Sequence, residues 1–187
     1  MRVLNAHQVC ASKEAGRRLR EMNDAALSRL AARVGRELRR AGLRVVTAES
    51  CTAGWVTKAL TDVSGSSEWV DSGYVSYSNE AKVRMLGVSP RTLERFGAVS
   101  RETVQEMARG ALRASGVEVA VAVSGIAGPD GGTPGKPVGT VWFCAARRRG
   151  REIRQIAMRE RFRGDRDTVR RKCVERALRL IAALARG

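Results

Sequence analysis

The residues best suited to chemistry lie in the run Ala48-Glu49-Ser50-Cys51-Thr52-Ala53-Gly54-Trp55. An apolar segment, Leu43 to Thr47, reads as a buried strand just before it, and a helical pattern, Trp55 to Leu60, begins just after it. At such a strand-to-helix turn, free backbone N–H groups meet the positive end of the helix dipole. The turn can hold an anion, or stabilise an oxyanion beside a serine nucleophile. A plainer account, in which Ser50 or Thr52 only caps the helix, fits the turn better when it is taken alone.

If Ser50 is a nucleophile it needs a base. The single histidine, His7, falls in the polar N-terminal stretch, which argues against a Ser-His-Asp triad and excludes a histidine-rich metal site. No G-x-x-x-x-G-K-[ST] loop is present, and Gly125, Gly128, Gly131 and Gly132 miss the dinucleotide G-x-G-x-x-G spacing. Lysine is the remaining base, and the candidates are Lys13, Lys58, Lys82, Lys136 and Lys172. Lys82 follows a strand and enters a helix, and strand C-terminal ends converge on one rim of an α/β sheet, so it can approach Ser50 there. A partly buried lysine has a lowered pKa and can act as a neutral amine. From spacing alone, a surface lysine paired with a nearby glutamate describes Lys82 equally well. Lys58 fits the surface reading, and Lys136, in a glycine-rich segment, suits phosphate better than base chemistry.

The elements that must position these residues follow from periodicity. Leu27, Leu30, Val34 and Leu38 predict a helix from about Asp24 to Arg40, closed by Gly42. The next helix is expected from Cys51 to about Asp62, then a loop at Ser64 to Ser67 and a strand from Gly73 to Tyr77. Ser78 is placed to cap a helix from Asn79 to Leu86, which Gly87 ends. Pro90 starts a short helix and Ser100 caps a longer one to about Ala114, with Val104, Met107, Ala108 and Leu112 inward. Val117 to Val123 reads as a central strand covered on both faces. Gly125 to Gly139 contains six glycines and three prolines and directly follows that strand, where α/β proteins place ligand loops. Val138 to Ala145 is expected to be a strand, Arg147 to Arg151 a turn, and Glu152 to Phe162 its antiparallel partner. Asp165 caps a last helix to about Leu184, with Val169, Cys173, Ala177, Leu180, Ile181 and Leu184 inward. The fold class is α/β: a single three-layer α/β/α domain with a mixed, mostly parallel sheet and a late antiparallel hairpin.

The chain has 187 residues and a formal net charge of +16, with 30 arginines among its 35 basic residues. The densest run, Arg147 to Lys172, holds twelve basic against four acidic residues, a net of +8. A basic face draws a nucleic-acid reading. Few aromatics, spread charge and no helix-turn-helix, RRM or zinc-finger pattern count against it, and most of these arginines are expected to be solvated. Cys10, Cys51, Cys144 and Cys173 are scattered and argue against both a zinc site and a disulfide framework. With no spanning apolar run and no apolar signal core, a cytoplasmic protein is expected. Residues 1–22 are read as a loosely helical or disordered extension, and residues 23–187 as the domain.

Taken in order, Thr47 to Gly54, Tyr77 to Lys82, Gly97 to Ser100, Ser124 to Gly132, Lys136 to Trp142 and Gly164 to Arg166 closely resemble the motifs of the CinA C-terminal domain family, the nicotinamide-nucleotide amidases also called PncC. The resemblance runs from about Asp24 to the C-terminus. Many members carry a larger N-terminal domain, and this chain looks like the stand-alone form. The resemblance implies an amidohydrolase that converts nicotinamide mononucleotide to nicotinic acid mononucleotide and ammonia, without metal or organic cofactor. It implies Ser50 as nucleophile, Lys82 as base and Tyr77 beside them. Cys51 and Thr52 would offer oxyanion donors. Ser124, Gly125, Gly128, Gly131, Gly132, Thr133, Lys136 and Arg166 would bind substrate, Arg166 as a bidentate fork to phosphate. Arg166 also fits a surface pairing with Asp165 or Asp167.

The family usually has Gly-Gly after the Cys-Thr pair, where this chain has Ala53-Gly54. The Ala53 methyl could crowd a ligand, or be harmless if the residue has helical geometry, and a tolerated change is expected. Expected partners are a small nucleotide substrate and further copies of the chain, with no membrane and no nucleic acid. The alternatives are a non-catalytic nucleotide-binding module and a basic nucleic-acid-associated protein. Because every motif and every periodic apolar residue lies after residue 22, deleting residues 1–22 should leave the melting temperature and turnover unchanged. An insoluble product or a large drop in melting temperature would show that the segment packs on the domain.

Overall fold

The computed structural model describes residues 24–186, so the expectation for residues 1–22 lies outside it. Helix α1 (Asp24–Ala41) leads to strand β1 (Val45–Glu49) and helix α2 (Trp55–Thr61). A 3₁₀ turn at Ser66–Glu68 precedes β2 (Val70–Val75). Helices α3 (Asn79–Leu86), α4 (Pro90–Phe96) and α5 (Arg101–Ser115) then lead to β3 (Val119–Gly125). The hairpin β4 (Thr140–Arg149) and β5 (Glu152–Arg161) is followed by α6 (Arg166–Arg186).

The five strands form one sheet in the order β2-β1-β3-β4-β5. The pairings β1–β2 and β1–β3 are parallel, while β3–β4 and β4–β5 are antiparallel, so only β4 runs against the rest. Side chains alternate across the central strands, as the pleat requires. Val119, Val121 and Val123 face a core shared with α1, α2 and α6, built on Leu27, Val34, Leu38, Leu60, Val169 and Ile181. Ala120 and Ala122 face the opposite core with Leu86, Val104, Met107 and Leu112 of α3 and α5. This is the three-layer α/β/α arrangement expected from the alternation of elements. The inward stripes of α1 and α5 are buried as predicted.

Boundaries differ where polar chemistry overrides hydrophobic pattern. β1 starts two residues later than the apolar run and continues through Thr47 and Glu49, both wholly buried. β2 lies earlier than expected, ending at Val75, and releases Ser76 and Tyr77 as a rim loop. β4 extends through Arg147 to Arg149, so the hairpin turn is only Gly150-Arg151. Arg147 and Arg148 stay extended because their guanidinium groups donate to the carbonyls of Leu184 and Val117.

Register decides what the rim presents. Glu49 pairs with Val75 on one side and Val123 on the other. The next residues, Ser50 and Ser76 just past β1 and β2 and Ser124 near the end of β3, therefore lie at one level. The chain departs from β1 toward β2 and from β3 toward β4, so the loops diverge between the two central strands. Open α/β sheets bind ligands at that kind of switch point.

Candidate active site

The turn after β1 is organised by Glu49. Its buried carboxylate accepts from the N–H groups of Gly54 (3.0 Å), Val56 (3.0 Å) and Thr57 (2.8 Å), and from the hydroxyls of Thr57 (2.8 Å) and Thr47 (3.2 Å). A carboxylate at a helix start satisfies orphan donors and complements the dipole. Neither Ser50 nor Thr52 is the cap of α2. Gly54 holds that position, with no side-chain bond. The helix begins at Trp55 and not at Cys51, because Ala53 and Gly54 are both left-handed, with φ of +49° and +89°. Gly73 on β2 leaves room for this assembly: a Cβ there would lie 2.2 Å from Thr57 Oγ1.

The N–H groups of the turn can be accounted for one by one. Ser50 donates to the Val123 carbonyl (3.0 Å), Ala53 to that of Ser50 (3.1 Å) and Trp55 to that of Thr52 (3.1 Å). Gly54, Val56 and Thr57 are taken by Glu49. Among the described residues, the Cys51 and Thr52 N–H groups have no acceptor. From α6, Arg170 donates through Nε to the Cys51 carbonyl (3.1 Å) and through Nη2 to the Thr52 carbonyl (3.0 Å), and it lies over the Trp55 ring at 5.4 Å.

Lys82 comes from α3, whose start is fixed by Ser78 Oγ accepting from the Ala81 N–H at 3.1 Å. Its side chain is 1% exposed. The amine donates to the carbonyls of Ser76 (2.8 Å) and Tyr77 (3.1 Å) and lies 3.1 Å from Ser50 Oγ. The surface reading of Lys82 is thus overturned. Burial pushes its pKa below the usual lysine value, against the opposing influence of Cys51 and Glu80. A neutral amine has two N–H bonds and one lone pair. The two nearer carbonyls and the serine hydroxyl match that inventory, with the Ser78 carbonyl farther off at 3.5 Å.

Ser50, Cys51, Tyr77, Lys82, Ser124, Gly125, Gly128, Gly131 and Arg166 line one cleft of about 280 Å³. Ser124 donates to the Ala98 carbonyl at 2.8 Å. Arg166 does not pair with Asp165 or Asp167. It donates to the Gly128 carbonyl (2.7 Å) and the Tyr77 hydroxyl (3.2 Å), bridging the mouth. Tyr77 meets Lys82 through its main chain, while its ring is 62% exposed. Lys136 points elsewhere, onto the Phe96 carbonyl (2.6 Å), and Thr133 forms a tight turn with it. Thr52, Gly132, Thr133 and Lys136 are not among the cleft-lining residues. A larger groove of about 570 Å³, lined by Arg161, Arg163, Lys172 and Arg179, has neither a hydroxyl nor a thiol in its lining.

Residues the sequence reading did not assign are Glu49, Arg170, Ala98, Val99, Ile126, Ala127 and Asp130. Ala98 and Val99 sit inside Gly97 to Ser100, a motif recognised in the sequence but given no role there. Among the described residues, no group of three or more His, Cys, Asp or Glu side chains could hold a metal ion. No described helix is long and apolar enough to cross a membrane.

A three-layer α/β domain that brings a serine, a buried lysine and a glycine-rich loop to the rim of its parallel strands is the architectural class. The chain belongs to the CinA C-terminal domain family, whose model matches residues 27–185. It is 53% identical over 160 residues to the nicotinamide-nucleotide amidohydrolase PncC of Escherichia coli K12, covering 86% of this chain and 95% of that protein. Against the protein of the same name from Pseudomonas putida, identity is 52% over 152 residues, covering 81% and 92%. The crystal structure of the competence/damage inducible protein CihA from Agrobacterium tumefaciens superposes with a TM-score of 0.81 at 44% identity, covering 87% of this chain and 96% of that one.

Two predictions follow from the turn. Glu49→Gln offers an NH₂ where N–H donors already point, and should cost about 2–4 kcal/mol in urea unfolding; a loss below about 1 kcal/mol would refute the role given to the carboxylate. Ala53 is exposed and left-handed, not helical, and its residue borders a shallow depression with Trp55 and Arg171, away from the cleft. Ala53→Gly should therefore raise stability by about 1 kcal/mol, seen as a higher melting temperature.

Proposed function

We propose that this protein hydrolyses the carboxamide of nicotinamide mononucleotide to the carboxylate and ammonia, through an acyl-enzyme on Ser50. The observation that carries the reading is the buried Lys82 amine 3.1 Å from Ser50 Oγ. The names of the relatives support the substrate, and the unclaimed N–H groups support the reaction type.

In the first step the Ser50 hydroxyl proton passes to the neutral Lys82 amine as Oγ attacks the carboxamide carbon. The carbonyl oxygen becomes an oxyanion, which the N–H group of the cleft-lining Cys51 receives. The new Lys82 ammonium keeps four acceptors in reach, the carbonyls of Ser76, Tyr77 and, at 3.5 Å, Ser78, together with Ser50 Oγ. It returns the proton to the departing nitrogen, which leaves as ammonia. Water then attacks the acyl-enzyme, with the amine again taking the proton, and releases the carboxylate and free Ser50. The cationic pyridinium ring makes the attacked carbon more electrophilic. Tyr77 positions the base through its main-chain carbonyl, and its exposed ring with the attached Arg166 forms one side of the mouth. The N–H groups of Gly128, Asp130 and Gly131 have no acceptor among the described residues, and their place in the cleft lining with Arg166 suits them as donors to the phosphate.

Ser50→Ala and Lys82→Met should each fold, bind nicotinamide mononucleotide and release ammonia at background rate. In the wild type only the neutral amine works, so kcat/KM should rise with pH through an acid limb. The limb should lie below 10.5, since burial lowers the Lys82 pKa from that value. Ammonia release is measured by a coupled assay and binding by calorimetry. Binding without any wild-type turnover would favour a regulatory nucleotide-binding module. An active Lys82→Arg variant with an unchanged pH profile would remove the lysine from the mechanism.

A further inference from the structure

We infer that Lys136 is a positioning residue, the strap that ties the glycine-rich loop to a second wall of the cleft. The inference rests on the reading in which that loop receives the substrate's phosphate. Two irregular segments contribute to the cleft lining. One is the loop from Ile126 to Gly139, which supplies Gly128, Asp130 and Gly131. The other is the link between α4 and α5, which supplies Ala98 and Val99. The link is pinned to the domain. The Gly97 carbonyl accepts from the hydroxyls of Ser100 (2.9 Å) and Thr103 (2.8 Å), and the Ala98 carbonyl from that of Ser124 (2.8 Å). The loop is pinned at its base, where the Ile126 N–H donates to the Thr140 carbonyl (2.9 Å) and the Gly139 N–H to the Ile126 carbonyl (2.8 Å). Its far end is a tight turn in which Thr133 and Lys136 exchange N–H···O bonds at 3.0 Å. The unclaimed N–H groups of Gly128, Asp130 and Gly131 lie in the stretch between base and turn.

Lys136 joins the loop to the link. Its amine donates to the Phe96 carbonyl at 2.6 Å, and among the described residues this is the one hydrogen bond between residues 126–139 and residues 96–99. Phe96 closes α4, so its carbonyl is one of the orphan acceptors that a helix leaves at its C-terminal end, where the dipole favours a cation. The chain bends at once at Gly97, with φ of +75°, and the amine lies against that bend: a Cβ there would stand 3.4 Å from Lys136 Nζ. With its amine committed to Phe96 and its side chain outside the cleft lining, Lys136 acts on the phosphate only through the loop it holds. A glycine-rich loop without that tie has many conformations to sample. Apparent affinity falls by the fraction of time the binding conformation is absent, while the bound complex and its chemistry are unchanged. The strap therefore works on KM.

The test compares Lys136→Met and Lys136→Arg with the wild type in two measurements. One is hydrogen exchange of the ligand-free protein over residues 126–139, where the bonded N–H groups of Ile126, Thr133 and Gly139 carry the protection, with α1 as the control for global stability. The other is kcat and KM for ammonia release from nicotinamide mononucleotide. Methionine keeps the alkyl chain and removes the donor. It should speed exchange in the loop about tenfold and leave α1 unchanged. It should also raise KM about tenfold and keep kcat within about threefold. Arginine keeps a charged donor for the carbonyl, so both its readouts should lie nearer the wild type than those of methionine. Loop exchange at the wild-type rate in Lys136→Met would overturn the inference, and a raised KM alongside it would assign Lys136 to the phosphate directly. A loss confined to kcat, or faster exchange in α1 as much as in the loop, would overturn it too. A wild type that releases no ammonia would refute the substrate and leave the exchange comparison to decide the role of Lys136.

Discussion

A single buried carboxylate is the constraint on which the rim depends. Glu49 lies on the face of β1 that the pleat assigns to the core, with no exposure to water. A lone carboxylate there would be intolerable. Three N–H groups from the first turn of α2 and two threonine hydroxyls make it tolerable. The same bonds join strand to helix at a fixed distance, and that distance is too short for four intervening residues to stay extended. Ser50 to Ala53 must therefore loop outward. The loop puts a hydroxyl at the carboxyl edge of the sheet and leaves two N–H groups without acceptors among the described residues.

The proposed base arrives by a separate route. β2 ends in register with β1, so Ser76 and Tyr77 leave the sheet beside Ser50. Ser78 caps α3 at once, and Lys82 sits one turn in, which turns its side chain back over the carbonyls just released. Burial makes the charge costly while two carbonyls and a hydroxyl satisfy either protonation state. The amine's pKa is thus lowered without the group being left unbonded. Strand register supplies the proximity, and helix capping supplies the direction.

This division explains what could be read in the sequence. Local rules place α3 and its cap, the glycine stops, the alternation of layers and the burial of the α1 and α5 stripes, because each depends on neighbours within a turn or two. The approach of Lys82 to Ser50 could be foreseen only as a possibility, since it depends on strand register. Glu49 escaped notice because a glutamate closing a strand looks like a solvated rim residue. The sequence starts α2 at Cys51 for the same reason: without the Glu49 bonds, nothing in Cys51-Thr52-Ala53 forbids a helix. The glycine setting of Lys136 suggests phosphate, yet its amine ends on the Phe96 carbonyl, 40 residues away in sequence. Arg170 was lost in a run of charges where no local signal separates a clamp from a solvated side chain.

The charge composition then takes on a different meaning. Of the arginines that suggested nucleic acid, Arg147, Arg148, Arg166 and Arg170 each donate to a main-chain carbonyl of another element. Others pair with carboxylates, as Arg176 does with Glu160, Arg179 with Glu175 and Arg186 with Glu37. A guanidinium suits such work because its fork spans two acceptors and it stays charged at any working pH. For the same reason it cannot serve as a base. Most of these main-chain clamps are arginine, with Lys136 and Lys172 as lysine counterparts, whereas the cation wholly buried against the candidate nucleophile is Lys82. A cation chosen only to fill a polar niche among carbonyls could have been either residue. The side chain able to give up its proton stands at the one place where the proposed chemistry requires that loss.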